Sequence, residues 1–295
     1  MIRDQIRIWG TVFAALLGLA FGSFLNVCLS RWPEGESIVE PRSYCHKCGH
    51  VLTWWENVPL VSWLALRGRC RICRAWIGWR YVLVETAMGG LWAIAAWKSA
   101  GDSFEHLIFA AFPISAVALV SLKLVFIWVL VALIFLDAEH LWLPDWLTIP
   151  GIGAGMISTI LGLLCAKRLF ILSHGFLFAA AHWIAGVVAS AAIILLIRWI
   201  YWLIRRREGI GLGDAKLMAL LAAWLGLPGA LLAFGLGVIL GAVAGLGVII
   251  AAKRRGSDGL GLLKLPLGTF LCIGGIVSAL CGEQIISAYM RWAGF

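Results

Sequence analysis

Three aspartates and four cysteines are the side chains in this sequence whose type and position could do chemistry. Asp137 ends the apolar run Val131-Ala132-Leu133-Ile134-Phe135-Leu136. Asp145 follows Leu141-Trp142-Leu143-Pro144, and Asp214 closes Gly211-Leu212-Gly213 just before Ala215-Lys216 and a further apolar stretch. An ionised carboxylate at membrane depth costs several kcal/mol, so an acid at the end of an apolar span needs a reason. Two carboxylates held a few ångströms apart share one proton; the ionised partner takes a proton from water while the neutral one donates to a scissile carbonyl. That is peptide hydrolysis with neither a metal nor a covalent intermediate. Gly211 and Gly213 would let an extended substrate approach the backbone where any side chain would obstruct it. Helix capping is the competing role for Asp145, which follows a proline, and for Asp214. Asp137 has no cap to make at a helix C-terminus, where the dipole disfavours negative charge. Glu139 and His140, in the same short loop, read as solvated hydrogen-bond partners.

The cysteines make a sharper signal. Cys45-His46-Lys47-Cys48 and Cys70-Arg71-Ile72-Cys73 are two C-x-x-C knuckles separated by 21 residues, the arrangement of a tetrahedral zinc site with four thiolates. Gly49 and Gly68 permit tight turns that aim backbone N–H groups at sulfur. A redox dithiol would instead show a single C-x-x-C at a helix start in a βαβ setting. A polar segment of about 50 residues has little core of its own, so the zinc is expected to be structural. Cys28, Cys165, Cys272 and Cys281 sit singly in apolar context, which argues for buried thiols rather than disulfides.

The elements that must position these groups are membrane spans. At 295 residues, 62% hydrophobic and 13% charged, the chain cannot coat a soluble globule with polar surface. The apolar run from Thr11 to Val27 lacks a small-residue cleavage site after it and reads as a retained first span. The net charge of +9 collects between spans, a topological pattern that does not call for nucleic acid. Arg31, Arg42, Lys47, Arg67, Arg69, Arg71, Arg74 and Arg80 place the long polar stretch from about 30 to 80 in the cytoplasm. Further spans are expected at about 82–98, 108–136, 146–165, 178–203, 214–230, 231–251 and 266–282. The fold class is thus an all-α polytopic membrane protein of about eight transmembrane helices, with a small cytoplasmic four-cysteine zinc module between the first two.

This topology sets the first span at 1–29, the zinc module at 30–80 and the remaining transmembrane domain at 81–295. It puts Arg205-Arg206-Arg207, Lys253-Arg254-Arg255 and all three aspartates at the cytoplasmic face, and the acidic turn Gly101-Asp102-Ser103-Phe104-Glu105 outside. Lys167-Arg168, Arg3 and Arg7 fall on the side the charge rule disfavours. The segment 104–136, with Pro113 and Lys123, reads as one tilted span after an interfacial helix or as a hairpin. An odd number of crossings is preferred, because it brings Asp137 to the side of Arg205. Strings such as Leu240-Gly241-Ala242-Val243-Ala244-Gly245 suit close helix packing in lipid.

In order and spacing, several strings together resemble the bifunctional type IV prepilin peptidases along nearly the whole chain. They are Gly22-Ser23-Phe24-Leu25-Asn26-Val27, Pro41-Arg42-Ser43, Trp55-Glu56-Asn57-Val58-Pro59-Leu60-Val61-Ser62-Trp63, Arg67-Gly68-Arg69-Cys70 and Arg80-Tyr81-Val82-Leu83-Val84-Glu85. The segment from Asp137 to Pro150, Gly211-Leu212-Gly213-Asp214-Ala215-Lys216-Leu217 and Leu265-Pro266-Leu267-Gly268 complete the set. His46 and Val82 stand where that family usually has proline. The resemblance implies an inner-membrane aspartic endopeptidase with Asp137 and Asp214 as the catalytic pair, supported by Asp145, Gly211, Gly213 and Lys216. Implied substrates are prepilins and pseudopilins, cut after a glycine that precedes their apolar helix. The implied methyl donor for the new N-terminal residue is S-adenosylmethionine, with Asn26, Glu56 and Glu85 as polar candidates nearby. Two other readings stand beside it: a zinc-anchored membrane scaffold or transporter, and a peptidase without methyltransferase activity.

Overall fold

A computed structural model describes residues 2–109, 113–165, 174–206, 211–254 and 265–294. Among them the structure is helical, apart from two isolated bridges, Tyr44–Val51 and Arg69–Trp76. The helices are α1 (Ile2–Arg31), α2 (Val61–Ala65), α3 (Trp79–Phe109), α4 (Pro113–His140), α5 (Asp145–Cys165), α6 (His174–Arg205), α7 (Leu212–Arg254) and α8 (Leu267–Trp292). Among the described residues six of these (α1, α4, α5, α6, α7 and α8) are long and apolar enough to cross a membrane. The long helix α3, of 31 residues, packs along α1.

The 43 residues of α7 would run about 65 Å at 1.5 Å per residue, twice the ~30 Å hydrocarbon thickness. Gly226 breaks it, at φ 68°, ψ 173°, with Pro228 just after. Glycine adopts that backbone without a Cβ penalty, and proline cannot donate the helical hydrogen bond. The two expected spans therefore meet at Gly226, about a turn earlier than the boundary read near 230. With α7 counted twice, these six helices supply about seven crossings among the described residues, and α3, which covers the span expected at 82–98, is not among them.

One expectation is corrected. The acidic turn at 101–105 is helix, because α3 runs on to Phe109. Asp102, Ser103 and Glu105 weaken a helix without breaking it, and the chain is next punctuated at Pro113, a residue suited to a helix start. The segment 104–136 is thus the end of α3 followed by α4. Of the basic residues used for topology, Lys167, Arg168, Arg207 and Arg255 lie outside the described residues.

The chain divides into two compact units, one of residues 1–113 and 123–132, the other of 114–122 and 133–295. In the first, α1 and α3 approach closely at small residues. A Cβ on Gly18 would lie 2.6 Å from the Met88 carbonyl, and one on Gly22 2.8 Å from the Glu85 Cα. Arg7 is accommodated by Trp97, whose ring lies 3.8 Å below its guanidinium and whose carbonyl accepts its Nε–H at 3.1 Å. In the second unit α5, α6 and α8 all pack against α7. A Cβ on Gly155 would lie 2.8 Å from the Ala223 carbonyl, and one on Gly237 3.0 Å from the Leu271 Cα. Indole N–H groups of Trp183 and Trp224 reach the carbonyls of Ala223 and Gly151 at 2.9 and 2.8 Å.

Candidate active site and metal site

Asp137 occupies the last turn of α4 and is buried. Its own helix end is the wrong place for a negative charge, and the compensation comes from another helix. Pro266, before α8, has no side chain with which to cap it. Asp137 supplies that cap: its Oδ2 accepts the backbone N–H of Thr269 at 2.6 Å and the Thr269 hydroxyl at 3.1 Å. An orphan N–H in the first turn of α8 is satisfied, and the positive end of the α8 dipole faces the carboxylate. Gly268 makes the approach possible, since a Cβ there would fall 2.9 Å from Asp137 Oδ2.

Asp214 lies in the first turn of α7, also buried, and its Oδ2 accepts the N–H of Gly211 at 3.2 Å. This is the reciprocal half of a capping box, so Asp214 does cap its own helix. Each acid thus spends Oδ2 on a helix start, while Oδ1 of each takes no hydrogen bond among the described residues. The helix starts that anchor them converge. The Cδ1 atom of Leu143 lies 3.1 Å from where a Cβ would stand on Gly213 and 3.1 Å from one on Gly268, so the starts of α7 and α8 flank the same side chain. Asp137 and Asp214 are close enough to interact electrostatically, and buried Cys272 is within the field of both.

Asp145 makes a different kind of contact. It lies in the first turn of α5, 2.6 Å from Lys216 Nζ, in an ion pair half open to solvent. Glu139 and His140 form a looser surface pair at 3.9 Å.

In the first unit the four sulfurs of Cys45, Cys48, Cys70 and Cys73 all lie within 4.8 Å of one another. Cys45–Cys73 and Cys48–Cys70 are 3.7 and 3.9 Å apart. Tetrahedral zinc with Zn–S bonds of 2.3 Å requires about 3.8 Å between sulfurs, so the donor set fits a metal ion of that size. The two knuckles close alike: Cys45 and Cys70 donate N–H to the carbonyls of His50 and Ala75 at 2.9 and 2.8 Å. Left-handed residues follow each second cysteine, Gly49 at φ 71° and, unexpectedly for a side-chain-bearing residue, Arg74 at φ 58°. Gly68, before the second knuckle, is left-handed too, at φ 67°, and also has a packing role, because a Cβ there would meet the Trp63 and Trp76 rings at 2.8 Å.

Glu56, Asn26 and Glu85 are all buried beside this module. Glu56 Oε2 accepts the N–H and hydroxyl of Thr53, each at 2.7 Å, and faces His50 Nε2 at 3.2 Å. Burial works to raise this carboxyl, but those three partners outweigh it and hold it below the ordinary carboxylate value. Asn26 Nδ2 donates to the Tyr81 carbonyl at 3.1 Å, and Glu85 Oε2 accepts the Leu60 N–H at 2.8 Å.

Two family descriptions match the chain: a bacterial peptidase A24 N-terminal domain over residues 16–99, and the type IV leader peptidase family over residues 124–246. A prepilin leader peptidase/N-methyltransferase of Pseudomonas aeruginosa is 35% identical, the alignment covering 95% of this chain and 93% of that one. The chain belongs to the type IV leader peptidase family. Proteins of the same name from Stutzerimonas stutzeri and Burkholderia pseudomallei are 33% and 36% identical, over 95% and 92% of this chain and 93% and 85% of theirs. No solved structure matches the chain.

Within the type IV leader peptidase match lie Asp137, Asp145 and Asp214, and within the N-terminal match lie all four knuckle cysteines. Thr269, which shapes the surroundings of Asp137, has no signature of its own in the sequence, and Leu143 stands out only as part of the string from Asp137 to Pro150 shared with the family. Gly268 stands at the end of a string shared with the family, the one hint that its position matters.

Proposed function

We propose that this chain cleaves the leader peptides of type IV prepilins and type II secretion pseudopilins at the cytoplasmic face of the bacterial inner membrane, and N-methylates the residue so exposed. Asp137 and Asp214 are the catalytic pair. One carboxylate takes a proton from a water held between the Oδ1 atoms while the other, protonated, donates to the scissile carbonyl. The single observation that carries this reading is the division of labour within each acid, with Oδ2 tied to a helix start and Oδ1 left to the site. Asp145 and Lys216 brace the mouth, and Gly211 and Gly213 leave room for an extended peptide beside α7.

A prepilin presents a basic leader and an apolar helix, so depth in the bilayer selects the bond at their junction. Asp137 and Asp214 sit at helix ends, where that junction would lie. Ion pathways in transporters tend to place such charges near the middle of a span, which favours the peptidase over the transporter reading. In the first unit, Cys45, Cys48, Cys70 and Cys73 hold structural zinc, and residues 30–80 serve methylation while 81–295 carry the peptidase. S-adenosylmethionine, when bound, supplies the methyl group for the new N-terminal amine.

Conversion of Asp137 or Asp214 to Asn, assayed by prepilin cleavage in membranes, is expected to lower the rate at least ~100-fold in each case. Full cleavage by both variants rules the mechanism out.

A further inference from the structure

A cavity of about 400 Å³ opens between the knuckles, the C-terminal half of α1 and the start of α3. The peptidase chemistry makes no use of it. Its volume lies in the range of small-molecule sites, large enough for a nucleoside with an amino-acid side arm. Two of its walls carry orphaned acceptors. Glu56 is 6% exposed and Asn26 1%, yet Glu56 Oε1 and Asn26 Oδ1 have no hydrogen-bond partner. The Asn26 amide cannot be turned to relieve this, because its Nδ2 already donates to the Tyr81 carbonyl. A buried acceptor without a donor costs about 1–3 kcal/mol, and both atoms belong to residues that line the same space.

The lining also sets the charge preference. Glu56 and Glu85 contribute carboxylates, and Trp63, Trp76 and Tyr81 contribute aromatic surface. Arg31 reaches the cavity but is not available to a ligand anion, since its guanidinium donates to the carbonyls of Ser37 and Pro41 at 2.8 and 2.6 Å. The inner wall therefore favours a ligand that is cationic and rich in donors. The knuckle residues Lys47 and Arg71 also line the cavity and provide positive charge.

Resting on the methyltransferase reading above, we propose that this cavity is the S-adenosylmethionine site. The sulfonium and α-ammonium groups match the acids and aromatic faces, the ribose hydroxyls and adenine amine are donors for Glu56 Oε1 and Asn26 Oδ1, and Lys47 and Arg71 are placed to meet the α-carboxylate. Zinc, held by the two knuckles whose Cys45 and Cys70 line the same space, fixes one wall. Binding should follow charge: sinefungin, which replaces the sulfonium by an amine-bearing carbon, binds about 3- to 30-fold more tightly than neutral S-adenosylhomocysteine, the range expected for a cation against aromatic rings.

The test uses the full-length, zinc-loaded protein in detergent. Ultraviolet crosslinking of radiolabelled S-adenosylmethionine, mapped by mass spectrometry, should label residues within 23–85, and excess sinefungin should abolish the label. Equilibrium dialysis should show affinity at least 10-fold weaker for Glu56→Gln, which turns an amide donor toward ligand donors, and for Ser62→Met, which fills the cavity from another wall. Labelling confined to other segments, or wild-type affinity in both zinc-retaining variants, overturns the site. Labelling in 23–85 by a protein that cannot methylate a supplied mature pilin would support the site and sink the methyltransferase reading. Methylation with labelling elsewhere would sink the site alone.

Discussion

Replacing Gly268 by Ala tests whether the position of the Asp137 carboxylate sets the rate. The new methyl carbon would stand 2.9 Å from Asp137 Oδ2 and 3.0 Å from its Cγ, where ordinary contact begins near 3.4 Å. Leu143 Cδ1, at 3.1 Å, closes the alternative direction, so the carboxylate must retreat by about half an ångström. That retreat strains the bond from the Thr269 N–H, which at 2.6 Å is short and charge-assisted. Losing such a bond costs about 1.5–3 kcal/mol, which corresponds to roughly a 10- to 150-fold loss of cleavage rate if the transition state needs the anchored carboxylate. Helix propensity runs the other way, Ala being favoured over Gly by about 1 kcal/mol, so α8 itself is not weakened. The assay is kcat/KM for prepilin cleavage in detergent beside the melting temperature, with Gly247→Ala as control, since a Cβ at Gly247 meets nothing within 4 Å. Cleavage by Gly268→Ala within about threefold of wild type, at an unchanged melting temperature, would refute the reasoning.

The remaining expectations separate chemistry from scaffolding. Lys216→Met removes an ion pair that solvent screens, so stability should change by less than about 1 kcal/mol and cleavage by only a few-fold; a loss as large as that of Asp214→Asn would make Lys216 part of the chemistry. Gly274→Ala drives a methyl group into the Ala233 carbonyl where α7 and α8 meet, and a melting temperature several degrees lower is the expected readout. Stripping metal with a chelator should unfold the knuckles, because four thiols within 4.8 Å have no other common partner. Methylation of a supplied mature pilin should then be lost while prepilin cleavage, whose acids lie in the other unit, persists.

Much of this was legible in the chain because the relevant signals are local. A bilayer demands long apolar stretches, so most of the spans followed from composition and length, and the knuckles declared themselves because two thiols on one tight turn need a fixed spacing. The errors arose where a local signal was ambiguous. Asp102 and Glu105 resemble loop residues by composition, yet α3 runs through both to Phe109. Gly68 read as a turn device and is one, at φ 67°; what its neighbours along the chain did not show is that its missing side chain also makes room for two indole rings. Arg74 gave no sign of its left-handed backbone, which the symmetry of the knuckles imposes.

Sequence alone determined that the chain spans a membrane, that its cysteines suit one metal, and which acids stand at helix ends, since each of these depends on neighbours along the backbone. Only the tertiary structure decided what those acids touch. The cap that Asp137 provides to Thr269 joins residues 132 positions apart, and the convergence of Gly213 and Gly268 on Leu143 joins three segments with no common pattern. Hydrogen bonds and excluded volume act through space, so which acid is anchored, and by which oxygen, was settled when α4, α7 and α8 packed.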